Sequence, residues 1–390
     1  MPFDYTIIIE STWPPTGQPH PPFGTTAIDV LLACPLRSCF DYSSGYEHRI
    51  GVAARIGTAL HKTLQSLGEN PIQESNLEMI SAETRRRFNI ELGSQKKQAA
   101  DHPREIHLLW DQVRVDRSLE AVIAEAIRTR DQHLSHPSIP FNSALPSGQF
   151  TNPLNANNLN QTPIELPAFE IPVQSKDGLI RGRIDHAEHI PTGTRLIDYK
   201  SAYRDDLPER YIHQVQIYAY LWFETTGEWP VEGQVFYPLK GTFYQVPLDQ
   251  EICRQVFAES VALINQIKNY KNPGSMAKPG DNCKVCDYRP WCQPFWQWQS
   301  SQKILIKAKE NAVAGFEGKI NSIQLIDHYW RLIIEWKGIK IRLVVPQERF
   351  PHLEYAQTNQ VVRFIDAPLK GALSQPSVQV YDTTEIFLII

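Results

Sequence analysis

Apolar residues recur along the chain with two different periods, and the period changes from one region to the next. Between Thr26 and His133 they recur every three to four residues, which predicts helices, among them one over Gly57–Leu67 and a long amphipathic one over Glu105–His133. Beyond residue 168, several runs alternate apolar and polar residues with a period of two, which predicts strands. The first third of the chain is therefore predicted to form a helical cap over a sheet that follows it.

The region from residue 168 to residue 270 predicts a mixed α/β core, because helical and strand periods are interleaved. The predicted elements are strands at Ala168–Gln174, Leu179–Glu188 and Thr194–Ser201, a helix at Pro208–Glu224, strands at Glu232–Leu239 and Thr242–Pro247, and a helix at Asp249–Tyr270. Residues 135–163 are rich in Asn, Pro and Ser and have few apolar anchors, so they are predicted to form a long exposed loop.

Beyond Ser300 the pattern predicts a small all-β barrel, and the predicted domains are residues 1–300 and 301–390. The predicted strands are Ala312–Leu325, Tyr329–Trp336, Ile339–Val345, Gln360–Ile365 and Thr384–Ile389. An OB-like barrel could bind single-stranded nucleic acid through aromatic side chains, of which this one has Tyr329, Trp330, Trp336 and Phe364. Aromatic residues of small barrels more often lie in the core, so a structural or partner-docking role also stays open.

Composition sets limits on these interpretations. A chain of 390 residues with 42% hydrophobic content is globular and long enough for two or three domains. The net charge of −4 excludes a protein coated in positive charge, although nucleic-acid binding depends on where charge lies. The sequence has neither a basic, apolar leader nor an apolar run of about 20 residues, so a cytoplasmic protein without a membrane span is expected.

Two acidic residues flank a predicted hairpin turn at residues 190–194, and the hairpin would bring Asp185 and Asp198 nearly opposite each other. Carboxylates that close repel each other without a cation, and Mg²⁺ or Mn²⁺ would relieve the repulsion. Lys200 lies two residues beyond Asp198 and therefore on the same strand face, while Tyr199 points away. The arrangement predicts a metal-dependent phosphodiesterase centre in which the ammonium orients water or offsets charge on the phosphate.

Two further pairs have helical spacing. Gln214 and Tyr218 are four residues apart and share one face of a predicted helix that would pack over the active strand. Gly57 and His61 form a Gly-x-x-x-His motif in the N-terminal helical region. Glu170, on the strand before Asp185, is interpreted as a neighbouring polar residue rather than a ligand.

The cysteines form a separate pattern. Cys283, Cys286 and Cys292 have the spacing Cys-x₂-Cys-x₅-Cys, and the fourth ligand such a cluster needs would come from Cys34 or Cys39. Thiolates at this spacing hold either tetrahedral zinc or an iron–sulfur cluster, and spacing alone does not choose between them. Their clustering favours metal ligation in a reducing compartment over disulfides. Cys253 lies in an apolar helical register and is predicted to be core.

Taken in order, the motifs Gly-x-x-x-His, Gly-x-Ile-Asp, Asp-x-Lys and Gln-x-x-x-Tyr resemble the RecB-like branch of the PD-(D/E)XK nuclease superfamily. Each motif alone is weak, but their order and spacing together are specific. The resemblance implies that the His and both carboxylates bind divalent metal, that the residue between Asp and Lys contributes its backbone carbonyl, and that the Gln/Tyr pair contacts DNA. Carried over by position, the implied site consists of His61, Asp185, Asp198, Tyr199, Lys200, Gln214 and Tyr218.

The cysteine pattern resembles that of the iron–sulfur nucleases of the same branch, namely the CRISPR-associated nucleases and the AddB-type subunit. In these proteins one early and three late cysteines join the ends of the nuclease domain around a [4Fe–4S] cluster. The resemblance thus favours a [4Fe–4S] cluster over zinc. It implies the ligands Cys34, Cys283, Cys286 and Cys292, since only Cys34 is followed by the Pro and basic residue of the family pattern.

These expectations combine into a hypothesis of function. The fold class is α/β, a restriction-endonuclease-like core with an N-terminal helical region and a C-terminal β-barrel. The expected activity is that of an Mg- or Mn-dependent deoxyribonuclease, an exonuclease acting on single-stranded or end-containing DNA in repair, recombination or CRISPR-type processing. The chain lacks Gly-x-x-x-x-Gly-Lys-[Ser/Thr], so ATP-driven unwinding would need a helicase partner. The alternative is a non-catalytic iron–sulfur subunit that uses the nuclease fold to bind nucleic acid.

Overall fold

The structure, a computed structural model, describes residues 8–9, 13–46, 48–73, 76–102, 104–105, 107–135, 164, 166–268, 272–301, 315–371, 376–381 and 383–389. The chain divides into two compact units. The site unit comprises Ala53–Gln95 and Asp111–Glu259. The cysteine unit comprises Met1–Val52, Lys96–Trp110 and Ser260–Ile390. The predicted boundary near residue 300 falls inside the cysteine unit and stays a prediction. Of the predicted loop at 135–163, residue 135 belongs to a helix and the rest lies outside the described residues.

Helices dominate the first third of the chain, as the hydrophobic period predicts. In chain order the α-helices are α1 (Thr25–Ala33), α2 (Pro35–Asp41), α3 (Val52–Glu69), α4 (Leu77–Ala100), α5 (Gln112–Ser135), α6 (Glu209–Thr226), α7 (Gln250–Lys268) and α8 (Gln293–Ser301). Short 3₁₀ turns occur at Pro273–Met276, Asp281–Val285 and Pro351–Tyr355. Among the described residues, no helix combines the length and apolar character needed to cross a membrane.

Where the structure describes them, the strands follow the predicted runs to within a few residues, and residues 312–314 of the predicted strand Ala312–Leu325 lie outside the described residues. The strands are β1 (Ile8–Ile9), β2 (Phe23–Gly24), β3 (Ala168–Gln174), β4 (Ile180–Ile190), β5 (Gly193–Tyr199), β6 (Glu232–Tyr237), β7 (Thr242–Val246), β8 (Gly315–Ile326), β9 (Tyr329–Trp336), β10 (Ile339–Pro346), β11 (Val361–Ile365), β12 (Leu369–Lys370), β13 (Ser377–Val378) and β14 (Glu385–Ile389). Four of them, β1, β2, β12 and β13, contain only two residues each, too few for a period to be read from the sequence.

In the site unit, strands β3 to β7 pair side by side in sequence order. Three of the four pairings are antiparallel, and β5 pairs parallel with β6 because helix α6 forms the crossover between them. Helix α6 ends at Thr226 and is capped by Gly227, which adopts a left-handed conformation and donates its N–H to the carbonyl of Phe223. Its buried Val215 packs with Val235, Tyr237 and Val246 of the sheet. This packing fixes the position of α6 over β5 and β6.

In the cysteine unit, eight strands pair in the order β1-β14-β11-β8-β9-β10-β13-β12. Side chains of β9 alternate strictly between exposed and buried positions, as a sheet with one face on a core requires. The core includes Phe316, Trp330, Trp336 and Phe364. Of the four aromatic residues considered for nucleic-acid binding, three are therefore core residues, and only Tyr329 is exposed, at 48%. The mixed α/β fold with an additional C-terminal β region is confirmed.

One helix is shorter than its pattern predicts. The amphipathic run was predicted to begin at Glu105, but α5 begins at Gln112. Glu105 is 1% exposed, and its carboxylate accepts a hydrogen bond of 2.8 Å from the backbone N–H of Ile50. This hydrogen bond to a residue 55 positions away in sequence thus outweighs the local helical preference of Glu105. Such tertiary override of local propensity leaves no signal in the sequence.

Candidate active site

The two acidic residues of the motifs lie on neighbouring strands. The β4–β5 hairpin pairs His186 with Ile197, so Asp185 and Asp198 lie one position beyond that pair, at the same end of the ladder. Oδ2 of Asp185 accepts a hydrogen bond of 2.6 Å from the backbone N–H of Tyr199. The side chains of Asp185 and Asp198 are 15% and 4% exposed, respectively. The hairpin therefore brings together the two carboxylates that the sequence singled out.

Burial sets the protonation chemistry of this pair. It raises the pKa of Asp185, and the negative charge of Asp198 raises it further, while Lys200 and the N–H of Tyr199 act in the opposite direction. Burial also raises the pKa of Asp198, against the lowering effect of Lys200. Two buried carboxyl groups of this kind resist ionising together unless a cation compensates their charge. The donor set therefore fits a divalent cation with oxygen ligands.

Lys200 lies directly after β5, and its side chain lies beside Asp198 as the period of two predicts. Nζ is 2.7 Å from Oδ2 of Asp198, in an ion pair that is largely shielded from solvent. Burial alone would lower the pKa of Lys200, but the carboxylates of Asp198 and Asp185 raise it above its ordinary value. The amine is therefore protonated at neutral pH and carries a fixed positive charge next to the carboxylates.

The Gln/Tyr pair of helix α6 holds this ammonium in place. Nζ of Lys200 donates to Oε1 of Gln214 at 2.9 Å, and Nε2 of Gln214 donates to the hydroxyl of Tyr218 at 3.1 Å. Gln214 and Tyr218 are 7% and 5% exposed. Their spacing of four residues places both on the face of α6 that covers the active strand, as predicted. Contact of this pair with DNA stays a prediction, whereas its contact with Lys200 is part of the structure.

His61 lies in the middle of α3, and its Nδ1 atom is 3.7 Å from Oδ2 of Asp185. Gly57, one helical turn earlier, allows this approach. A Cβ atom at residue 57 would lie 2.3 Å from Oγ and 3.0 Å from Cβ of Ser201, which directly follows Lys200. The Gly-x-x-x-His spacing therefore has a physical reason, because the residue without a side chain lets the helix reach the strand end.

The imidazole of His61 has the protonation state that metal binding needs. Burial lowers its pKa to about 4, with a further contribution from the charge of Lys200. The ring is neutral at pH 7, and only neutral imidazole has a free lone pair for a metal ion. Its plane lies edge-on to Tyr199, with ring centroids 6.2 Å apart.

The three predicted ligands meet in pairs rather than around one point. In the described part of the chain, no group of three or more His, Cys, Asp or Glu side chains converges on a single metal position. His61 contacts Asp185, and the charges of Asp185 and Asp198 interact, while Asp198 pairs with Lys200. The chemistry of the donors fits a hard divalent cation.

Behind the site, buried polar groups support the strand that carries it. The hydroxyl of Tyr199 is 3.1 Å from Nδ1 of His186, and the ring of His186 stacks on Phe169 with centroids 4.4 Å apart. Burial is the main cause that lowers the pKa of His186 to about 3, so this ring is neutral as well. The side chain of Tyr199 therefore points away from the carboxylates, as predicted, and its packing fixes the backbone at the end of β5 that carries Asp198.

An open cleft of about 280 Å³ lies in front of the site. Besides His61, Tyr199 and Lys200, it is lined by Arg114, Tyr211 and Ser201. Nζ of Lys200 lies 4.9 Å from the ring centroid of Tyr211, a cation–π contact. The sequence analysis missed Arg114 and Tyr211. Tyr211 lies one helical turn before Gln214, a spacing that could have indicated it, whereas nothing in the sequence relates Arg114 to the motifs.

In the cysteine unit, the four selected thiols influence one another's pKa, although no three of them converge on a single metal position among the described residues. Burial is the main cause that raises the pKa of Cys292, and negative charge on Cys286, Cys34 and Cys283 raises it further. Burial raises the pKa of Cys286 to about 11, with a smaller contribution from Cys283. Residues far apart in sequence thus interact electrostatically in the fold.

Each of these four sulfur atoms accepts a hydrogen bond from a backbone N–H. The N–H of Lys278 is 3.5 Å from Sγ of Cys34, and that of Gly280 is 3.4 Å from Sγ of Cys283. The N–H groups of Tyr288 and Phe295 play the same part for Cys286 and Cys292. Backbone N–H groups aimed at sulfur stabilise thiolates and tune bound clusters.

Cys39, the alternative first ligand, lies in a different environment. It is 1% exposed, and burial is the main cause that raises its pKa to about 11, followed by the charges of Cys34 and Asp41. None of the three late cysteines contributes to that shift. Cys253 is 0% exposed, as expected for the predicted core residue.

Comparisons with known proteins bear on the family of this chain. A search of curated proteins found no significant match. The solved crystal structure of SSO0001 aligns with 60% of this chain and 94% of its own length at 17% identity, but the TM-score is only 0.22. A family model of the PD-(D/E)XK nuclease superfamily matches residues 22–293, which is more than half of the chain and includes every motif residue discussed above. The chain therefore belongs to the PD-(D/E)XK nuclease superfamily.

Proposed function

We propose that this protein is a divalent-metal-dependent deoxyribonuclease of the RecB-like branch that acts on single-stranded DNA or DNA ends. The observation that carries the proposal is the juxtaposition of Asp185, Asp198 and Lys200 at the ends of two paired strands. The ammonium is 2.7 Å from one carboxylate and is held by Gln214 from a neighbouring helix. Family membership supplies the nuclease activity class. The choice of DNA as substrate rests on resemblance.

Asp185, Asp198, His61 and the backbone carbonyl of Tyr199 would hold the metal. When bound, Mg²⁺ or Mn²⁺ would supply Lewis-acid stabilisation of a phosphate and lower the pKa of a bound water. The chain's own contribution is the placement of charge. Lys200 presents an ammonium fixed by Asp198 and Gln214, so it can stabilise negative charge developing on the phosphate without reorganising.

The cleft in front of the carboxylates limits what can bind there. Arg114 and Lys200 line it together with Tyr211 and the small residues Ala53 and Ala54. Two cationic side chains attract a phosphate, and the aromatic ring offers a surface on which a base can stack. The small residues leave room for the sugar–phosphate backbone to approach the strand ends.

Cleavage assays with purified protein test this function directly. The protein, prepared anaerobically, should cleave end-labelled single-stranded DNA in Mg²⁺ or Mn²⁺ and leave it intact without added metal. Blocked and free 5′ and 3′ ends should show which ends are used, and duplex and RNA substrates should show the substrate range. Binding of DNA without cleavage in either metal would overturn the proposal and favour the non-catalytic alternative.

We further propose that Cys34, Cys283, Cys286 and Cys292 hold a [4Fe–4S] cluster with a mainly structural role. Support comes from their electrostatic interaction and from the backbone N–H groups that face each sulfur. Burial raises the pKa of Cys286 and Cys283, and the guanidinium groups of Arg37 and Arg289, respectively, act against that rise. These positive charges would offset the negative charge of a thiolate-bound cluster. Such a cluster would crosslink residue 34 to residues 283–292.

Substituting any of the four cysteines by Ala should remove iron and sulfide, bleach the brown colour and lower the melting temperature. The physical reason is that metal binding restrains a very long chain segment, so its loss weakens folding more than chemistry. Cys39→Ala serves as the matched control and should retain iron. Stoichiometric zinc without iron in anaerobic preparations would refute the cluster, and iron loss in Cys39→Ala but not in Cys34→Ala would refute the choice of first ligand.

The biological pathway is part of the same proposal. The protein would act on DNA opened by a helicase partner, in repair, recombination or CRISPR-type processing. Co-purification with DNA-dependent ATPase activity would support such a partner.

A further inference from the structure

The three long strands of the cysteine unit present one outward face that is independent of the active site. On β9, Tyr329, Arg331, Ile333 and Glu335 are exposed, and the residues between them are buried. On β10, Lys340, Arg342 and Val344 are exposed in the same way. The register pairs Arg342 with Ile333, Val344 with Arg331 and Lys340 with Glu335, so these side chains share one face. We call this set, together with Lys319 of β8 opposite Glu335, the strand face.

Basic side chains form a diagonal line across the strand face. Lys340 and Arg342 are two residues apart on β10, a separation of about 7 Å. Arg331 of β9 lies diagonally across from Arg342 of β10, about 7–8 Å away. Tyr329 lies two residues before Arg331 on the same strand. The line therefore consists of three cations and ends at a tyrosine ring that is 48% exposed.

The charges of the strand face have few internal partners. Within the part of the chain that the structure describes, none of Lys319, Arg331, Lys340 and Arg342 forms an ion pair with another side chain. The acidic residues of the same three strands are Glu317 and Glu335, and Glu317 is bonded to Arg363 at 2.7 Å. An excess of unpaired positive charge is therefore concentrated on one face of a chain whose net charge is −4.

We infer that the strand face is a binding site for single-stranded DNA, separate from the cleavage site and resting on the proposed nuclease function. Charge complementarity selects a polyanion, and a line of cations at strand spacing follows a phosphate backbone. The exposed ring of Tyr329 lies on a sheet, where an unpaired base can stack on it but a base inside a duplex cannot. The apolar Ile333 and Val344, which are 36% and 55% exposed, offer further surface to unstacked bases.

The test measures binding of a fluorescein-labelled oligo-dT of about 30 nucleotides to the full-length protein, without added divalent cation and over a range of salt concentrations. The double variant Arg331→Ala/Arg342→Ala should lower the slope of log K against log [salt] by about 1.4, because each phosphate contact on a single strand contributes about 0.7. Tyr329→Ala should weaken binding about 5- to 150-fold, the range expected for one lost stacking partner, while Tyr329→Phe keeps it.

Two matched controls separate the strand face from net charge. Arg331→Lys/Arg342→Lys keeps both phosphate contacts and should preserve the salt slope. Lys97→Ala/Lys268→Ala removes the same charge from exposed positions of helices α4 and α7 and should bind like the unchanged protein. An unchanged salt slope in Arg331→Ala/Arg342→Ala, or an equal loss in the lysine control, would overturn the inference. So would undetectable binding by the unchanged protein, which would point to a different occupant such as an acidic protein.

These experiments test the proposed binding site and the proposed nuclease function separately. If the strand-face variants lose binding but no preparation cleaves DNA in any metal, the proposed nuclease function is wrong and the binding site stands. If the variants still cleave short oligonucleotides and lose only long ones, both proposals hold, because a short substrate reaches the cleft without the second site.

Discussion

Replacing Asp198 with Ala should abolish DNA cleavage in both Mg²⁺ and Mn²⁺, whereas replacing Lys200 with Ala should lower the rate about 10²–10³-fold, the size expected for one lost electrostatic contact. The two losses have different causes. Asp198 is a proposed metal ligand, while Lys200 contributes charge that stabilises the transition state. Calorimetry with Mn²⁺ separates them, since Asp198→Ala should lose metal binding. Lys200→Ala should bind Mn²⁺ at least as tightly as the unchanged protein, because the substitution removes a positive charge 2.7 Å from the carboxylate of Asp198.

An exposed residue of the same type provides the control. Asp116→Ala, on the solvent side of helix α5, should bind Mn²⁺ and cleave DNA at the rate of the unchanged protein. Wild-type cleavage by Asp198→Ala in both metals would show that the carboxylate pair is not the catalytic centre. Equal loss of Mn²⁺ binding in the Asp198 and Lys200 variants would show that Lys200 acts by holding the fold of the site together.

Replacing Glu385 with Ala should lower the free energy of unfolding of the cysteine unit by about 3–5 kcal/mol, the range for removing one partner of a buried ion pair. Glu385 is 7% exposed and accepts two hydrogen bonds from the guanidinium of Arg104, at 2.7 and 2.8 Å. Arg49 approaches the same carboxylate to 3.3 Å. The substitution therefore leaves buried positive charge without a counter-ion. Urea unfolding followed by tryptophan fluorescence measures the loss.

The acid dependence of this stability follows from the pKa of Glu385. Burial acts to raise this pKa, but Arg104, Arg49 and Arg289 outweigh it, and the pKa is lowered from its ordinary value. A group with a lowered folded-state pKa stabilises the fold fully above its unfolded pKa of about 4.3, and that contribution disappears as the pH falls through the folded value. The free energy of unfolding of the unchanged protein should therefore fall as the pH drops below about 4, and Glu385→Ala should lack this part of the pH dependence.

A surface ion pair in the same unit supplies the comparison. Glu317 is bonded to Arg363 at 2.7 Å, but its side chain is 40% exposed. Glu317→Ala should therefore change the free energy of unfolding by at most about 1 kcal/mol, as solvent screening implies. Equal losses in the two variants would contradict the account of Glu385 as a buried counter-ion.

The elements that the sequence predicted well are those with a strong local signal. Strands β3 and β9 match their predicted limits, and the other predicted strands differ by a few residues at their ends. The turn between Asp185 and Asp198 was predictable because the period of two is interrupted by Pro and Gly, and this spacing alone places both carboxylates at one end of a hairpin. The Gln214–Tyr218 pair was predictable for the same kind of reason, since a spacing of four fixes one helix face.

Other features depend on contacts between distant segments. Helix α5 begins later than its period predicts because the carboxylate of Glu105 bonds to Ile50. Which aromatic residues of the eight-stranded sheet are core was undecided in the sequence, because the alternation shows only that Tyr329 and Trp330 point to opposite faces. The register and packing of the sheet then bury Trp330 and expose Tyr329.

Residue type and spacing alone are enough to predict the class of fold and the chemical groups of the site, because they fix which side chains share a strand or helix face. Which of these groups interact depends on packing in three dimensions. Lys200, directly after strand β5, donates a hydrogen bond to Gln214 of helix α6. Gly57 lets His61 approach Asp185 because a side chain at residue 57 would collide with Ser201. The same holds for the alignment of Arg331 and Arg342 on the strand face, which depends on the pairing register. Distances and burial arise from packing between segments far apart in the chain, and no local pattern encodes them.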